Sequence, residues 1–201
     1  RVKGATGPIL LKRALQHFAS KGALDIDTLG EKNVVALVDS GLVNDLADIY
    51  ALTKQKLLEL ERFADISAQK LIDAISDKKT PKLERFLFGL GIRHVGTQTA
   101  IDLIEKFGSL SNLAQATLDE LINVDGVGEV VAESVAAWFA DEENIELLTK
   151  FESLGVVPVY TPKTGKLAGK NFVITGTLES MGREVAADKI RNAGGTFQNA
   201  V

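Results

Sequence analysis

The stretch Val124-Asp125-Gly126-Val127-Gly128-Glu129, with the apolar-rich residues 130–138 after it, predicts two helices joined by a tight turn. Two glycines this close permit a backbone with positive φ and leave the turn uncovered by side chains. The helix that follows begins with N–H groups that have no partner inside the helix, and such groups attract anions. For a single motif of this kind, the alternative is a turn that only packs two helices together.

Three more segments show a similar order of apolar residue, turn and amphipathic helix. They begin at residues 29–32, 60–68 and 90–97. The turn centres near residues 30, 64, 94 and 127 are about 30 to 34 residues apart, a period typical of stacked helical pairs. Four such turns predict a mainly α fold, a tandem array of helix-hairpin-helix units. In this motif the anion is usually a nucleic-acid phosphate.

Composition limits the chemistry available to this chain of 201 residues. The chain has no cysteine, which excludes disulfides and thiolate metal sites, and its two histidines, His17 and His94, are too few for a zinc site of their own. No apolar run approaches the roughly 18 residues needed to span a membrane. The net charge of −4 argues against a strongly electrostatic nucleic-acid binder, but it allows one that holds phosphates with backbone N–H groups.

Cationic residues are concentrated in two places. The first cluster contains Arg1, Lys3, Lys12 and Arg13. The second contains Lys78, Lys79, Lys82, Arg85 and Arg93. Each cluster is either part of a binding surface or simply a solvated helix face.

The sequence pattern changes after residue 156. Residues 157–166 have the composition of a linker. After them, a buried strand followed by a turn over 172–178, a helix over 183–193 and a second strand from Thr196 are predicted. This β-α-β order implies a parallel sheet. About 36 residues are too few to bury a core alone, so we expect a truncated α/β segment. Because the chain begins with Arg1 and ends inside a predicted strand, we expect it to be part of a longer protein.

Several motifs resemble bacterial NAD-dependent DNA ligase. They are His17-Phe18 with Asp25-Ile26-Asp27-Thr28-Leu29-Gly30-Glu31-Lys32, Leu60-Glu61-Arg62 with Ser67-Ala68-Gln69, and Leu90-Gly91-Ile92-Arg93-His94-Val95-Gly96. The run Lys170-Asn171-Phe172-Val173-Ile174-Thr175-Gly176-Thr177-Leu178, with Gly194-Gly195, resembles the start of that ligase's BRCT domain. The resemblance covers essentially the whole chain. It implies a remnant or replacement of a zinc-finger region and connector over 1–15, a helix-hairpin-helix domain with four hairpins over 16–156, a linker over 157–166 and the N-terminal part of a BRCT domain over 167–201.

The resemblance also implies a function without catalysis in this segment. The chain lacks the Lys-x-Asp-Gly motif whose lysine the family adenylates, so we expect no catalytic residue here and no ligation by this segment alone. NAD and Mg²⁺ are implied only for the full-length parent. Val2 and Gly7 stand at about the positions of the family's last two zinc-binding cysteines, so either the parent lacks the zinc site or another structure replaces it. The implied partners are double-stranded or nicked DNA and other domains of the parent ligase, with no membrane; we expect a monomer in the bacterial cytoplasm, associated with the nucleoid.

The predicted DNA-binding residues follow from the hairpins and from the BRCT-like start. Backbone N–H groups at the glycines would contact phosphates, and Lys32, Arg93 and Thr97 would add side-chain contacts. The full set is Gly30, Lys32, Gly91, Arg93, Gly96, Thr97, Gly126, Gly128, Thr175 and Arg183. In the second hairpin Ala64 stands where the family has glycine. A positive φ at alanine would cost on the order of 1 kcal/mol, so we expect this hairpin to pack rather than to bind phosphate.

Two other classes of function remain open at this stage. Nuclease subunits and repair scaffolds also use tandem helix-hairpin-helix units, and a BRCT-like start often serves protein docking. The chain would then be an interaction module of another DNA-repair protein. A helical spacer with no ligand is the third reading, and it predicts no DNA binding at any salt concentration.

Overall fold

The computed structural model describes residues 7–198, which divide into two compact units, one ending at Tyr160 and the other beginning at Thr161. Residues 1–6 and 199–201 lie outside the described residues. Arg1, Val2 and Lys3, part of the predicted 1–15 segment, and the end of the predicted 167–201 segment are therefore not described. The first unit also contains residues 7–15, which form the start of its first helix.

The first unit is helical from Gly7 onward. Its α-helices are α1 Gly7–Ala19, α2 Glu31–Asp39, α3 Lys54–Leu58, α4 Asp65–Ser76, α5 Leu83–Gly89, α6 Thr97–Phe107, α7 Leu110–Gln115, α8 Leu118–Ile122, α9 Glu129–Ala140 and α10 Glu142–Ser153, with a 3₁₀ helix at Ala47–Ala51. Four helix pairs pack as the predicted hairpins, and we number them by sequence: α1–α2, α3–α4, α5–α6 and α8–α9. The mainly α architecture is confirmed.

Side-chain caps explain where several helices begin. The hydroxyl oxygens of Thr53 and Ser109 each accept a hydrogen bond from a backbone N–H in the first turn, at 3.3 and 3.0 Å. At α8, Thr117 and Glu120 form the reciprocal capping box that the sequence predicts, with N–O distances of 3.2 and 2.9 Å. At α10 the Asp141 carboxylate accepts a single hydrogen bond, from the Glu143 N–H at 2.9 Å. These caps satisfy amides that a helix cannot satisfy itself.

Phe151 of α10 joins the beginning and the end of the first unit. Its ring stacks on Phe18 of α1, with centroids 5.6 Å apart, and meets the edges of Phe86 of α5 and Tyr50 of the 3₁₀ helix at 5.1 and 6.0 Å. Phe151 is only 2% exposed. One continuous core therefore runs from α1 to α10 and fixes the hairpins in a common frame.

Polar contacts also hold α10 to the 3₁₀ helix. The Lys150 ammonium lies 2.7 Å from an Asp45 carboxylate oxygen and 2.5 Å from one of Asp48. Partial burial alone would lower the pKa of Lys150, but the hydrogen bonds and charges of the two carboxylates raise it. Nearby, the Tyr50 hydroxyl donates to the Lys78 carbonyl oxygen at 2.9 Å, and burial raises the pKa of Tyr50.

The second unit has the predicted β-α-β order. Strand β1 is Asn171–Val173, helix α11 is Arg183–Asn192 and strand β2 is Thr196–Gln198. The strands pair in parallel, with Phe172 opposite Phe197, so the parallel sheet is confirmed. The first strand is followed by a turn, as predicted, because it ends at Val173 and Gly176 has a left-handed φ of +78°. The strand is not buried as predicted, since Phe172 and Val173 are only partly buried. No helix among residues 7–198 is long and apolar enough to cross a membrane.

The aromatic cluster around Phe151 gives a stability prediction. We expect Phe151→Ala to lower the free energy of unfolding by about 3–5 kcal/mol, since it leaves a cavity among three aromatic rings. The matched control is Ile145→Ala in the same helix, where the side chain is 49% exposed and the change should stay within about 0.5 kcal/mol. Urea unfolding followed by circular dichroism measures both; equal losses would contradict the role given to Phe151.

Candidate nucleic-acid interface

The second helix of every hairpin begins with the same backbone conformation. The residues at the N-caps of α2, α4, α6 and α9 are Gly30, Ala64, Gly96 and Gly128, with φ between −82° and −104° and ψ of 178°, 176°, −176° and 179°. Glycine and alanine have no side-chain oxygen, so none of these residues caps its helix as Thr53 or Asp141 does. The first-turn amides at these helix starts therefore have no side-chain cap, and the N-cap residues themselves are exposed.

Buried apolar pairs hold each turn in place. In hairpin 4 the Val127 N–H donates to the Val124 carbonyl at 3.0 Å, and in hairpin 3 Val95 and Ile92 are joined in the same way at 3.1 Å. All four side chains are at least 93% buried. The apolar residue before each N-cap thus anchors the turn in the core, and the N-cap itself is left at the surface.

Neither the backbone conformation nor the packing of the described residues requires glycine at these three N-caps. The φ values of Gly30, Gly96 and Gly128 are extended, and a Cβ added at any of them meets no atom within 4 Å. Ala64 has the same conformation with a side chain, at φ −104°. The predicted strain at Ala64 is therefore wrong, because the position does not need a positive φ. Glycine here instead leaves room for an outside group to approach the backbone closely.

Gly91 and Gly126 have a different role from the N-cap glycines. They adopt left-handed backbone, at φ +71° and +77°, as the turn requires. The Gly91 N–H donates to the Phe88 carbonyl at 3.1 Å. The expectation that this amide is available to a phosphate is therefore corrected: Gly91 shapes the turn, and the open amides lie after Gly96.

Charge distinguishes the hairpins. The first turn of α6 in hairpin 3 contains no acidic residue, and the exposed Thr97 begins it. The first turns of α2 and α9 contain the exposed carboxylates Glu31 and Glu129. Because a carboxylate competes with any other anion at a helix N-terminus, the helix start of hairpin 3 is more favourable for an anion than those of hairpins 1 and 4. Arg93 lies exposed in its turn, and Lys32 is exposed in the first turn of α2.

Arg85 makes structural contacts between two hairpins. Its Nε donates to the Ala23 carbonyl at 2.7 Å and its Nη2 to the Lys21 carbonyl, so α5 of hairpin 3 holds the turn that follows α1. Gly89 lies in the same contact, where an added Cβ would come within 3.1 Å of Leu24. Arg85 is thus removed from the predicted cationic surface, and it sets hairpin 1 against hairpin 3.

The two predicted residues in the second unit are not brought into one site. Arg183 is the first residue of α11 and lines a cavity of about 540 Å³ with Thr177, Ser180 and Gly182. Thr175 is exposed just after β1 and does not line that cavity.

Sequence reasoning missed one cation beside hairpin 1. The exposed Arg62 lies in the turn of hairpin 2, and its Nε donates to Oδ1 of Asn33, in the first turn of α2, at 2.6 Å. The prediction that hairpin 2 only packs leaves Arg62 out of the predicted DNA-binding residues. The only signal in the sequence was a cation two residues before an N-cap.

Comparison with protein families assigns the hairpins to two pairs. Residues 21–77 match the model described as a SAM-like helix-hairpin-helix tandem, and residues 85–148 match the one described as a helix-hairpin-helix motif. The first match contains the turns of hairpins 1 and 2, and the second those of hairpins 3 and 4. The helical unit is therefore a tandem helix-hairpin-helix module.

The chain is similar to DNA ligases over nearly its whole length. It is 42% identical over 200 residues to the DNA ligase of Trichlorobacter lovleyi, which covers 98% of this chain and 29% of that protein. The DNA ligase of Dehalococcoides mccartyi is 42% identical over 96% of this chain and 29% of its own length, and that of Bacillus mycoides 43% over 98% and 30%. The chain is thus homologous to a segment of bacterial DNA ligases, as the motifs predicted. It spans about three-tenths of the length of these relatives.

Two glycines in hairpin 4 give a matched prediction. We expect Gly126→Ser to cost about 1–2 kcal/mol of unfolding free energy, because serine is forced to a left-handed φ of +77°. Gly128→Ser, two residues later, should leave stability unchanged within about 0.5 kcal/mol, since serine is a good N-cap. Thermal unfolding of both variants is the measurement. A large loss at Gly128→Ser would mean that the fold itself requires this glycine.

Proposed function

We propose that this chain is the DNA-binding, non-catalytic C-terminal portion of an NAD-dependent DNA ligase that seals nicks in replication and repair. The observation that supports it most is the glycine at three open helix N-termini, where the chain itself needs none. The similarity to DNA ligases and the helix-hairpin-helix matches supply the ligand class. The ligand is double-stranded or nicked DNA, bound without sequence preference.

In this proposal the helix starts after Gly30, Gly96 and Gly128 bind phosphate oxygens with their free amides. Backbone N–H groups and the helix dipole favour a negative group at this place. Contacts to phosphates position a duplex but carry no information about its bases. Such contacts suit an enzyme that must act at a nick in any sequence.

The net charge of −4 does not oppose this mode of binding. At physiological salt, charges more than about 8 Å from a phosphate are largely screened. The charged groups at each helix start therefore determine how strongly a phosphate is attracted there. Hairpin 3 has Arg93 in its turn and no carboxylate in the first turn of α6. Thr97 would add a hydroxyl donor, and Lys32 would add a cation at hairpin 1.

The chemistry of ligation belongs to the rest of the parent protein in this proposal. NAD and Mg²⁺ serve catalytic domains that this segment does not contain, and a chain without cysteine offers no thiolate site for zinc. The second unit would be the start of a BRCT domain, with Thr175 and Arg183 as further DNA contacts. Other partners would be the domains of the same ligase, in a monomeric protein of the bacterial cytoplasm.

The first test is binding of the chain to nicked and intact duplex by fluorescence anisotropy, over a series of salt concentrations. We expect binding without sequence preference that weakens as salt rises, with a logarithmic slope of about −0.9 for each phosphate engaged. Absence of binding even at low salt would overturn the proposal in favour of a docking or spacer role.

Substitutions then test the helix starts. We expect Gly96→Ser and Gly128→Ser to weaken binding, because the serine oxygen occupies the amides that phosphate would use, while stability is retained. Arg93→Glu should weaken binding by roughly tenfold or more through loss of a charged hydrogen bond. The control is Lys106→Glu, the same charge reversal near the other end of α6. If Gly96→Ser, Gly128→Ser and Arg93→Glu all bind nicked DNA as the unmodified chain does, the hairpin mechanism is wrong.

A further inference from the structure

We propose that Arg62, a residue of hairpin 2, binds the DNA phosphate held at the first turn of α2 in hairpin 1. This inference rests on the proposed DNA-binding function and adds to it a contact between neighbouring hairpins. It assigns a role to a hairpin whose own N-cap is alanine rather than glycine.

A short chain of hydrogen bonds places the Arg62 guanidinium at hairpin 1. Arg62 Nε donates to Asn33 Oδ1 at 2.6 Å, and Asn33 Nδ2 donates to the Thr28 carbonyl oxygen at 2.6 Å. Asn33 is the third residue of α2, so this bond holds Arg62 beside the first turn. Within residues 7–198, Arg62 forms no other hydrogen bond or ion pair, which leaves both of its terminal amino groups available.

Hairpin 2 does not use this cation for an anion of its own. The Ala64 N–H donates to Ser67 Oγ at 2.9 Å, so the N-cap amide is already satisfied. Asp65, the first residue of α4, puts a carboxylate at the helix start, and that carboxylate pairs with Lys54 at 2.7 Å. The Asp65 carboxylate makes the helix start of hairpin 2 unfavourable for a phosphate, although its first-turn amides have no side-chain cap.

In hairpin 1, the first turn of α2 contains one carboxylate and one ammonium group, whose charges cancel. The exposed carboxylate of Glu31 lies in the first turn of α2 and offsets the charge of Lys32. Arg62 adds a second cation and makes the set of these three side chains positive. A guanidinium is planar and offers paired N–H donors that match phosphate oxygens. Because Asn33 already orients it, Arg62 loses less side-chain freedom on binding than an unsupported arginine would.

The experiment compares Arg62→Met with the unmodified chain in the same anisotropy series on nicked duplex. We expect the logarithmic salt slope to fall in magnitude by about 0.9, one phosphate contact, with roughly tenfold weaker binding. Arg62→Lys should retain the slope, since the charge remains. The matched control is Lys70→Met, which removes one exposed cation further along α4 and should leave the slope unchanged.

A purely structural role for Arg62 gives a different result. If Arg62 only braces the turn through Asn33, Arg62→Met and Asn33→Ala would both lower the thermal midpoint, and the salt slope of Arg62→Met would equal that of the unmodified chain. That outcome overturns the inference and leaves the proposed function intact. If the unmodified chain itself shows no salt-dependent binding, it is the proposed function that fails.

Discussion

A helix cannot satisfy the amides of its own first turn, and this constraint organises the first unit. Where a helix is not the second helix of a hairpin, as at α3, α7, α8 and α10, an oxygen from Thr53, Ser109, Thr117 or Asp141 caps it. Where a helix closes a hairpin, the N-cap is glycine or alanine and offers no oxygen. The same chain thus caps one class of helix start and leaves the other uncapped, and the uncapped class follows turns whose last apolar residue is buried.

In the proposed function, rigid placement lets the uncapped helix starts bind one duplex together. The pairs Val124–Val127 and Ile92–Val95 bury the residues on either side of each turn, and Phe151 ties α10 to the first helices. Arg85 adds a polar contact between hairpins 1 and 3, through the carbonyls of Lys21 and Ala23. Several weak contacts to one duplex add up only if their spacing is fixed before binding, because free motion between them lowers the effective concentration.

Much of the local structure could be predicted from the sequence, since it depends on residues close in the chain. The hairpin turns, the caps at Thr53 and Thr117 and the parallel β-α-β unit all follow from neighbouring residues. The errors concern backbone geometry and distant contacts. Ala64 was expected to be strained because glycine was assumed to serve a positive φ, whereas the position is extended. The partners of Arg85 and Arg62 lie 62 and 29 residues away, and no local pattern identifies them.

The two helix-hairpin-helix pairs also share a pattern in the second residue of the helix that closes each hairpin. The second residue of the closing helix is Lys32 or Gln98 in the first hairpin of each pair, and Ile66 or Val130 in the second hairpin. Ile66 and Val130 are 70% and 61% exposed, so these apolar side chains do not serve the core. The polar second residue therefore makes the first hairpin of each pair the better one for the phosphates of the proposed DNA ligand. The second hairpin of the first pair still contributes charge, because Arg62 extends from it toward the helix start of its neighbour.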